Sequence, residues 1–246
     1  MSTPLIILVA VLFSAGAVLV AIEHRVHSRN HETKTRDWKK YGVYFVLLTA
    51  LLWLGLFGRA GIAAVFAVVA ILGGLELVSG SVSLRSRTIL VLILSSTVLA
   101  SCFSHLLVGP EQDWYAHFVF TVLVVSTTDS YSQLWGKLLG SRRLCPSISP
   151  GKTWEGLAGG LVSAVLVATT LGMILPQFSI ARSAGIGFLL ALAAVAGDLL
   201  FSIIKRRRGI KDFSTMLPAH GGVLDRFDSL VVAAPVSYWL SLWTAG

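Results

Sequence analysis

Residues 202–228 read SIIKRRRGIKDFSTMLPAHGGVLDRFD. Lys205, Arg206, Arg207, Arg208, Lys211 and Arg226 share this stretch with Asp212, Asp225 and Asp228, and His220-Gly221-Gly222 lies between them. The flanking segments are strongly apolar. Charge this dense beside hydrocarbon-like chain is costly to hold at a membrane, so it marks a site. Cations beside paired carboxylates are what a phosphate and a hard divalent cation bind.

Working outward, the 246-residue chain is 55% hydrophobic and 13% charged, with mean hydropathy +0.79. A soluble domain carries about 25% charged residues. The expectation is an all-α polytopic membrane protein. The net charge of +8 does not point to nucleic acid, because the basic residues sit between apolar runs, as in cytoplasmic segments of membrane proteins. Cys102 and Cys145 form no disulfide framework or zinc pattern. Residues 4–22 are of span length and lack a basic leader, so they read as a retained first helix rather than a signal peptide.

The apolar runs predict about eight transmembrane helices, at residues 4–22, 41–57, 60–78, 88–108, 114–135, 154–175, 184–204 and 223–243. Residues 1–110 then hold spans one to four. Residues 111–246 hold catalytic spans five to eight, with cytoplasmic loops 136–153 and 205–222. All Lys and Arg except Arg59 and Arg182 fall on one side of this arrangement. The positive-inside bias makes that side cytoplasmic and puts both termini outside. A cell (inner) membrane protein with a cytoplasm-facing polar cavity is expected.

Glu76, Asp129, Asp198 and Asp225 lie in or at the ends of spans, with Asp228 one turn after Asp225. In that topology all fall on the cytoplasmic side, and one cavity would gather them. A carboxylate inside a span costs about 2.5–3.5 kcal/mol. A divalent cation held by Asp198 with Asp225 or Asp228 would offset this. Asp225 and Asp228 are three apart and share a helical face. Pairing with Arg226 or Lys205 is the bland alternative, and for Glu76 a helix-packing role is the favoured one. Gly221 and Gly222 allow close approach of backbone N–H groups to an anion ahead of a helix N-terminus. His220 reads as a metal ligand, a phosphate donor, a base or a structural residue.

A second polar block, residues 129–160, reads DSYSQLWGKLLGSRRLCPSISPGKTWEGLAGG. It holds Asp129, Lys137, Ser149, Lys152 and Thr153. Thr153 reads as an N-cap with Glu155 in the first turn. Glycine, lysine and hydroxyl groups before a helix suit phosphates, although the Walker A spacing is absent.

At these two blocks the chain resembles the phosphatidate cytidylyltransferase (CDP-diacylglycerol synthase) family. The resemblance rests on Ser202, Lys205-Arg206, Lys211-Asp212, Pro218, His220-Gly221-Gly222, Asp225-Arg226 and Asp228. Upstream it rests on Asp129, Gly136-Lys137, Gly140 and Ser149-Pro150 through Lys152-Thr153-Trp154-Glu155-Gly156. The chain departs from the family pattern at Tyr131-Ser132-Gln133 and at Gly151. The resemblance implies cytidylyl transfer from CTP to phosphatidate. It implies Asp198, Asp225 and Asp228 as metal-site acids, Lys205 and Arg226 as catalytic cations, and Lys152, Arg206 and Lys211 near phosphates. It also implies Mg2+, with a second, monovalent cation and a homodimer as open expectations. Another lipid phosphate as acceptor, or an ion-coupled transporter using the intramembrane acids, are the competing readings.

Overall fold

The computed structural model describes residues 2–27, 30–79, 114–175, 178–214 and 221–245. The fold is all-helical apart from one short hairpin. Helices α1 (Thr3–Val26), α2 (His31–Gly55) and α3 (Arg59–Ser79) precede α4 (Trp114–Leu139). Strands β1 (Arg143–Cys145) and β2 (Ser149–Thr153) follow, then α5 (Trp154–Ile174), α6 (Ile180–Arg207) and α7 (Leu224–Ala245). Each described helix coincides with an expected one, and the expected span at 88–108 lies outside the described residues. Among the described residues, α1, α3 over Arg59–Glu76, α5 and α6 are long and apolar enough to cross a bilayer. The chain is a membrane protein.

Three expected loops are shorter than read. Residues 23–40 are mostly helical, because α1 runs on to Val26 and α2 begins at His31. Asn30 sets that start, its side-chain oxygen accepting from the Thr33 N–H at 3.0 Å, which satisfies an orphan donor of the first turn. Helix α4 continues to Leu139, and the antiparallel hairpin pairs Arg143 with Thr153 and Cys145 with Ser149. Helix α6 carries Lys205 and Arg206 within it and stops at Gly209, whose φ of +68° ends the helix in the left-handed region.

Helix α4 is the axis of the fold. Phe118, Val119, Val122 and Val124 are buried completely, as in a helix that is apolar all round. Small residues let its neighbours approach closely. A Cβ built on Gly156 of α5 would stand 2.6 Å from the Ser132 carbonyl of α4. One built on Gly197 of α6 would stand 3.0 Å from the Asp228 carbonyl of α7. The second contact matters most, because it sets Asp198 beside the first turns of α7.

Candidate active site

A cavity of about 500 Å³ opens between α1, α2, α4, the hairpin, α6 and α7. Its wall carries the carboxylates Asp37, Asp129, Asp198, Asp225 and Asp228. It also carries Lys40, Lys137, Lys152, Lys205, Lys211 and Arg226. Ser149 and Thr153 line it too. Acids and cations from both polar sequence blocks therefore share one chamber.

The hairpin delivers Lys152. Its Nζ lies 2.7 Å from Asp198 Oδ2, and Ser202 one turn on donates to Asp198 Oδ1 at 3.4 Å. The hairpin is held on both flanks. Arg143 donates to the Pro150 carbonyl. The Glu155 carboxylate accepts the N–H groups of Ser141 and Arg142 at 3.1–3.2 Å. Thr153 caps α5, accepting from the Gly156 N–H at 3.1 Å. Arg206 donates to the Ile148 carbonyl at 3.0 Å, bracing the hairpin turn against the end of α6.

Lys205 bridges the two acids of α7. Its Nζ is 2.8 Å from Asp225 Oδ1 and 3.6 Å from Asp228 Oδ2. Asp228 Oδ1 accepts the Ser229 N–H at 2.8 Å, and the Ser229 hydroxyl donates to Asp129 Oδ1 at 3.1 Å. Asp129, Asp198 and Asp228 line the same chamber.

Asp225 also organises the turn before its own helix. Its Oδ2 accepts the N–H groups of Phe213 and Gly222, at 2.9 and 2.8 Å. Glu76 of α3 does the same for the helix start, accepting from Ser214 Oγ and the Val223 N–H, both at 2.7 Å, and from the Leu224 N–H at 3.0 Å. The N–H groups of this glycine turn thus meet two buried protein carboxylates. A Cβ on Gly222 would stand 2.6 Å from the Glu76 oxygens, so a side chain there would push the carboxylate off its donors. Glu76 does not line the cavity that holds the aspartates.

Arg206, Asp212, Gly221 and Gly222 are outside the cavity wall. Asp212 is exposed beside Gly221, and His220 lies outside the described residues. Sequence reasoning missed the N-terminal contribution. Asp37, Lys40, Tyr41 and Tyr44 of α2 all line the chamber. Asp37 pairs with Lys137 at 3.2 Å and with His24 Nε2 at 3.4 Å. Glu23 joins them, and the ligand atoms of Glu23, His24 and Asp37 lie within 4.8 Å of one another. Burial opposes the Asp37 charge, but Lys137 and then His24 outweigh it and hold the carboxyl below its ordinary range. The clue was Glu23 and Asp37, two of the three acids in a segment otherwise rich in cations.

A sequence model of the cytidylyltransferase family matches residues 2–243. The chain belongs to the cytidylyltransferase family. The match includes α1 to α3, where the sequence alone offered only apolarity. Among curated relatives of this cytidylyltransferase, "Phosphatidate cytidylyltransferase" of Rickettsia bellii is 32% identical over 87% of this chain and 96% of that protein. "Phosphatidate cytidylyltransferase" of Bacillus subtilis is 36% identical over 60% of this chain and 56% of that protein. "Uncharacterized protein YnbB" of Escherichia coli is 38% identical over 49% of this chain, a match spanning only 41% of that protein.

Proposed function

We propose that this cytidylyltransferase moves a cytidylyl group from CTP to phosphatidate, releasing pyrophosphate and forming CDP-diacylglycerol. The observation that carries the reading is the convergence of Lys152–Asp198 from one side and Lys205–Asp225–Asp228 from the other on one chamber. The names of the full-length relatives supply the substrates.

Asp198, Asp225 and Asp228 would hold a hard divalent cation once their lysines move aside, since among the described residues the ligand atoms already gathered within 4.8 Å are those of Glu23, His24 and Asp37. Asp198, Asp225 and Asp228 offer carboxylate oxygens from adjacent helices, and each already has a lysine ammonium against it. Asp225 Oδ2 is taken by two backbone donors and Oδ1 by Lys205, so Asp225 would offer a cation Oδ1 only with Lys205 turned away. Magnesium bound there would neutralise charge on the nucleotide phosphates.

The chain's own groups do the rest. A phosphatidate oxygen attacks the α-phosphorus of CTP, a new P–O bond forms, and the bond to the bridging oxygen of pyrophosphate breaks. Lys152, Lys205, Lys211 and Arg226 surround the charge that develops on the phosphoryl oxygens and on the leaving group. Lys152 and Lys205, if turned from their aspartates, would be within reach of phosphate oxygens in the same chamber. The attacking oxygen is already anionic, so no general base is required.

The active chamber faces the cytoplasm of a bacterial inner membrane, since CTP is cytosolic and the basic segments cluster on that side. The assay that tests the function incubates purified protein with labelled CTP, Mg2+ and a panel of lipid phosphates. The expected product is CDP-diacylglycerol from phosphatidate. Exclusive use of another lipid phosphate would replace the acceptor, and no nucleotide-lipid from any of them would refute the reaction.

A further inference from the structure

Behind the N-terminal wall of the chamber lies a second polar group. Glu23 and His24 are in the last turn of α1, and Asp37 is in the second turn of α2. The two helices run antiparallel, since Tyr41 donates to the Phe13 carbonyl while His24 meets Asp37. All three side chains are buried. Asp37 lines the chamber, whereas Glu23 and His24 do not. Asp37 therefore faces both ways. Its Oδ1 takes Lys137 at 3.2 Å, and its Oδ2 faces His24 Nε2 at 3.4 Å.

Hydrogen bonding accounts poorly for the contacts of His24. Its Nε2 stands 3.4 Å from Asp37 Oδ2 and 3.7 Å from Glu23 Oε2, and one N–H cannot point at both. Good N–H···O bonds run about 2.7–3.2 Å. Nitrogen and oxygen ligands at about 2.0–2.2 Å from a tetrahedral zinc ion stand about 3.3–3.6 Å apart along each edge. The observed spacing is close to that of a ligand shell. Charges buried in this way are paired or coordinate metals. One imidazole with two carboxylates suits zinc and its transition-metal neighbours better than magnesium, which prefers oxygen. Lys137 holds the far oxygen of Asp37, as outer partners of ligating carboxylates do. The Trp38 ring stands edge-on to His24, with centroids 6.3 Å apart, and adds apolar cover.

We infer that Glu23, His24 and Asp37 form a zinc-class metal site that clamps the end of α1 to the start of α2. Each gives one ligand atom, and these atoms already lie within 4.8 Å of one another. His27, one turn on from Glu23 and with Nδ1 4.0 Å from its Oε1, offers a further imidazole. The site is structural. It fixes the N-terminal wall of the chamber and, through Asp37, the placement of Lys137. It is separate from the acids of α6 and α7 and does not depend on the proposed lipid-phosphate reaction.

The test strips the full chain of metal in detergent, saturates it with Mg2+ and titrates Zn2+ alone, reading stoichiometry by calorimetry and stability by thermal melting. Wild type is expected to bind one zinc ion per chain and to melt higher with it, since a ligand of the native state stabilises that state. Asp198→Asn, altered in the catalytic chamber, is expected to bind zinc equally. His24→Gln and Glu23→Gln are expected to bind it at least about tenfold more weakly and to lose the rise in melting temperature. No zinc in the wild type would leave His24 as an ion-pair partner and overturn the site. Zinc lost from Asp198→Asn would put the ion in the catalytic chamber, and zinc kept by His24→Gln would make it adventitious; either result overturns the site. Because the buried variants can fail to fold, a second measurement uses the wild type. Zinc K-edge absorption of the loaded chain is expected to show imidazole with oxygen ligands at about 2.0–2.2 Å. A shell without imidazole, or with sulfur, would overturn the site whatever the variants do.

Discussion

Lys152 and Lys205 look alike in sequence, yet their surroundings give them different weights. Lys205 is 10% exposed and its partner Asp225 only 1%, so removing it leaves carboxylates buried without a counter-charge. Such a loss costs about 3–5 kcal/mol. Asp198 is 32% exposed, so water can solvate its carboxylate when Lys152 is removed. Lys205→Met is therefore expected to lose both turnover and several degrees of thermal stability in detergent. Lys152→Met is expected to lose turnover while melting close to wild type. Equal melting temperatures for the two variants would contradict the burial argument. The sequence identified both lysines by their motifs. It could not rank them, because exposure depends on how α6 packs on α7.

At the scale of elements, the last helix is positioned by an acid from the third. Glu76 accepts the first free N–H groups of α7, and a buried donor left unsatisfied costs about 1–3 kcal/mol. Glu76→Ala is expected to lower the melting temperature and weaken turnover, with Glu76→Gln recovering part of both. Unchanged melting of Glu76→Ala would exclude the capping role. The sequence favours a helix-packing or salt-bridge role for Glu76 and does not show the capping one, since the N–H groups it accepts are some 147 residues away.

The N-terminal hairpin is tied to α4 by another pair of distant charges. Asp37 is held below its ordinary value of 3.8, against the opposing effect of burial, by Lys137 and His24. A carboxyl depressed by folding adds stability above its unfolded pKa and loses it as pH falls through the folded value. The melting-temperature gap between wild type and Asp37→Asn is thus expected to be full at pH 6 and to close on acidification below about pH 4. A gap that persists to pH 2 would show that Asp37 acts through packing. This tie was hidden because positive-inside bias explains the cations of residues 23–40 without any partner.

Across the whole molecule, the long-range pattern was the most legible part. Because a bilayer forces spans to be long and apolar, apolar runs located the described helices to within about four residues at each end, except that α2 begins at His31, ten residues before the expected start. Extensions such as α1 to Val26 and α4 to Leu139 were not legible, since polar helical turns look like loops. The chamber's C-terminal half followed from motif spacing, while its N-terminal wall needed the fold. The orientation can be read at Cys145, half-buried in the hairpin. With Cys102→Ser to isolate it, an impermeant maleimide should label Cys145 in inverted inner-membrane vesicles and spare it in spheroplasts. The reverse pattern would invert the topology.

In the proposed reaction, acids from α6 and α7 act together on one bound cation beside the nucleotide phosphates. The direct measurement is Mg2+-dependent CDP-diacylglycerol formation by purified wild-type, Asp198→Asn and Asp228→Asn proteins that melt alike. Wild type should turn over only with the metal, and each variant should fall by about 10²–10³-fold, the scale of losing one transition-state electrostatic contact. Near-wild-type turnover by either variant would exclude a shared cation held by Asp198 and Asp228.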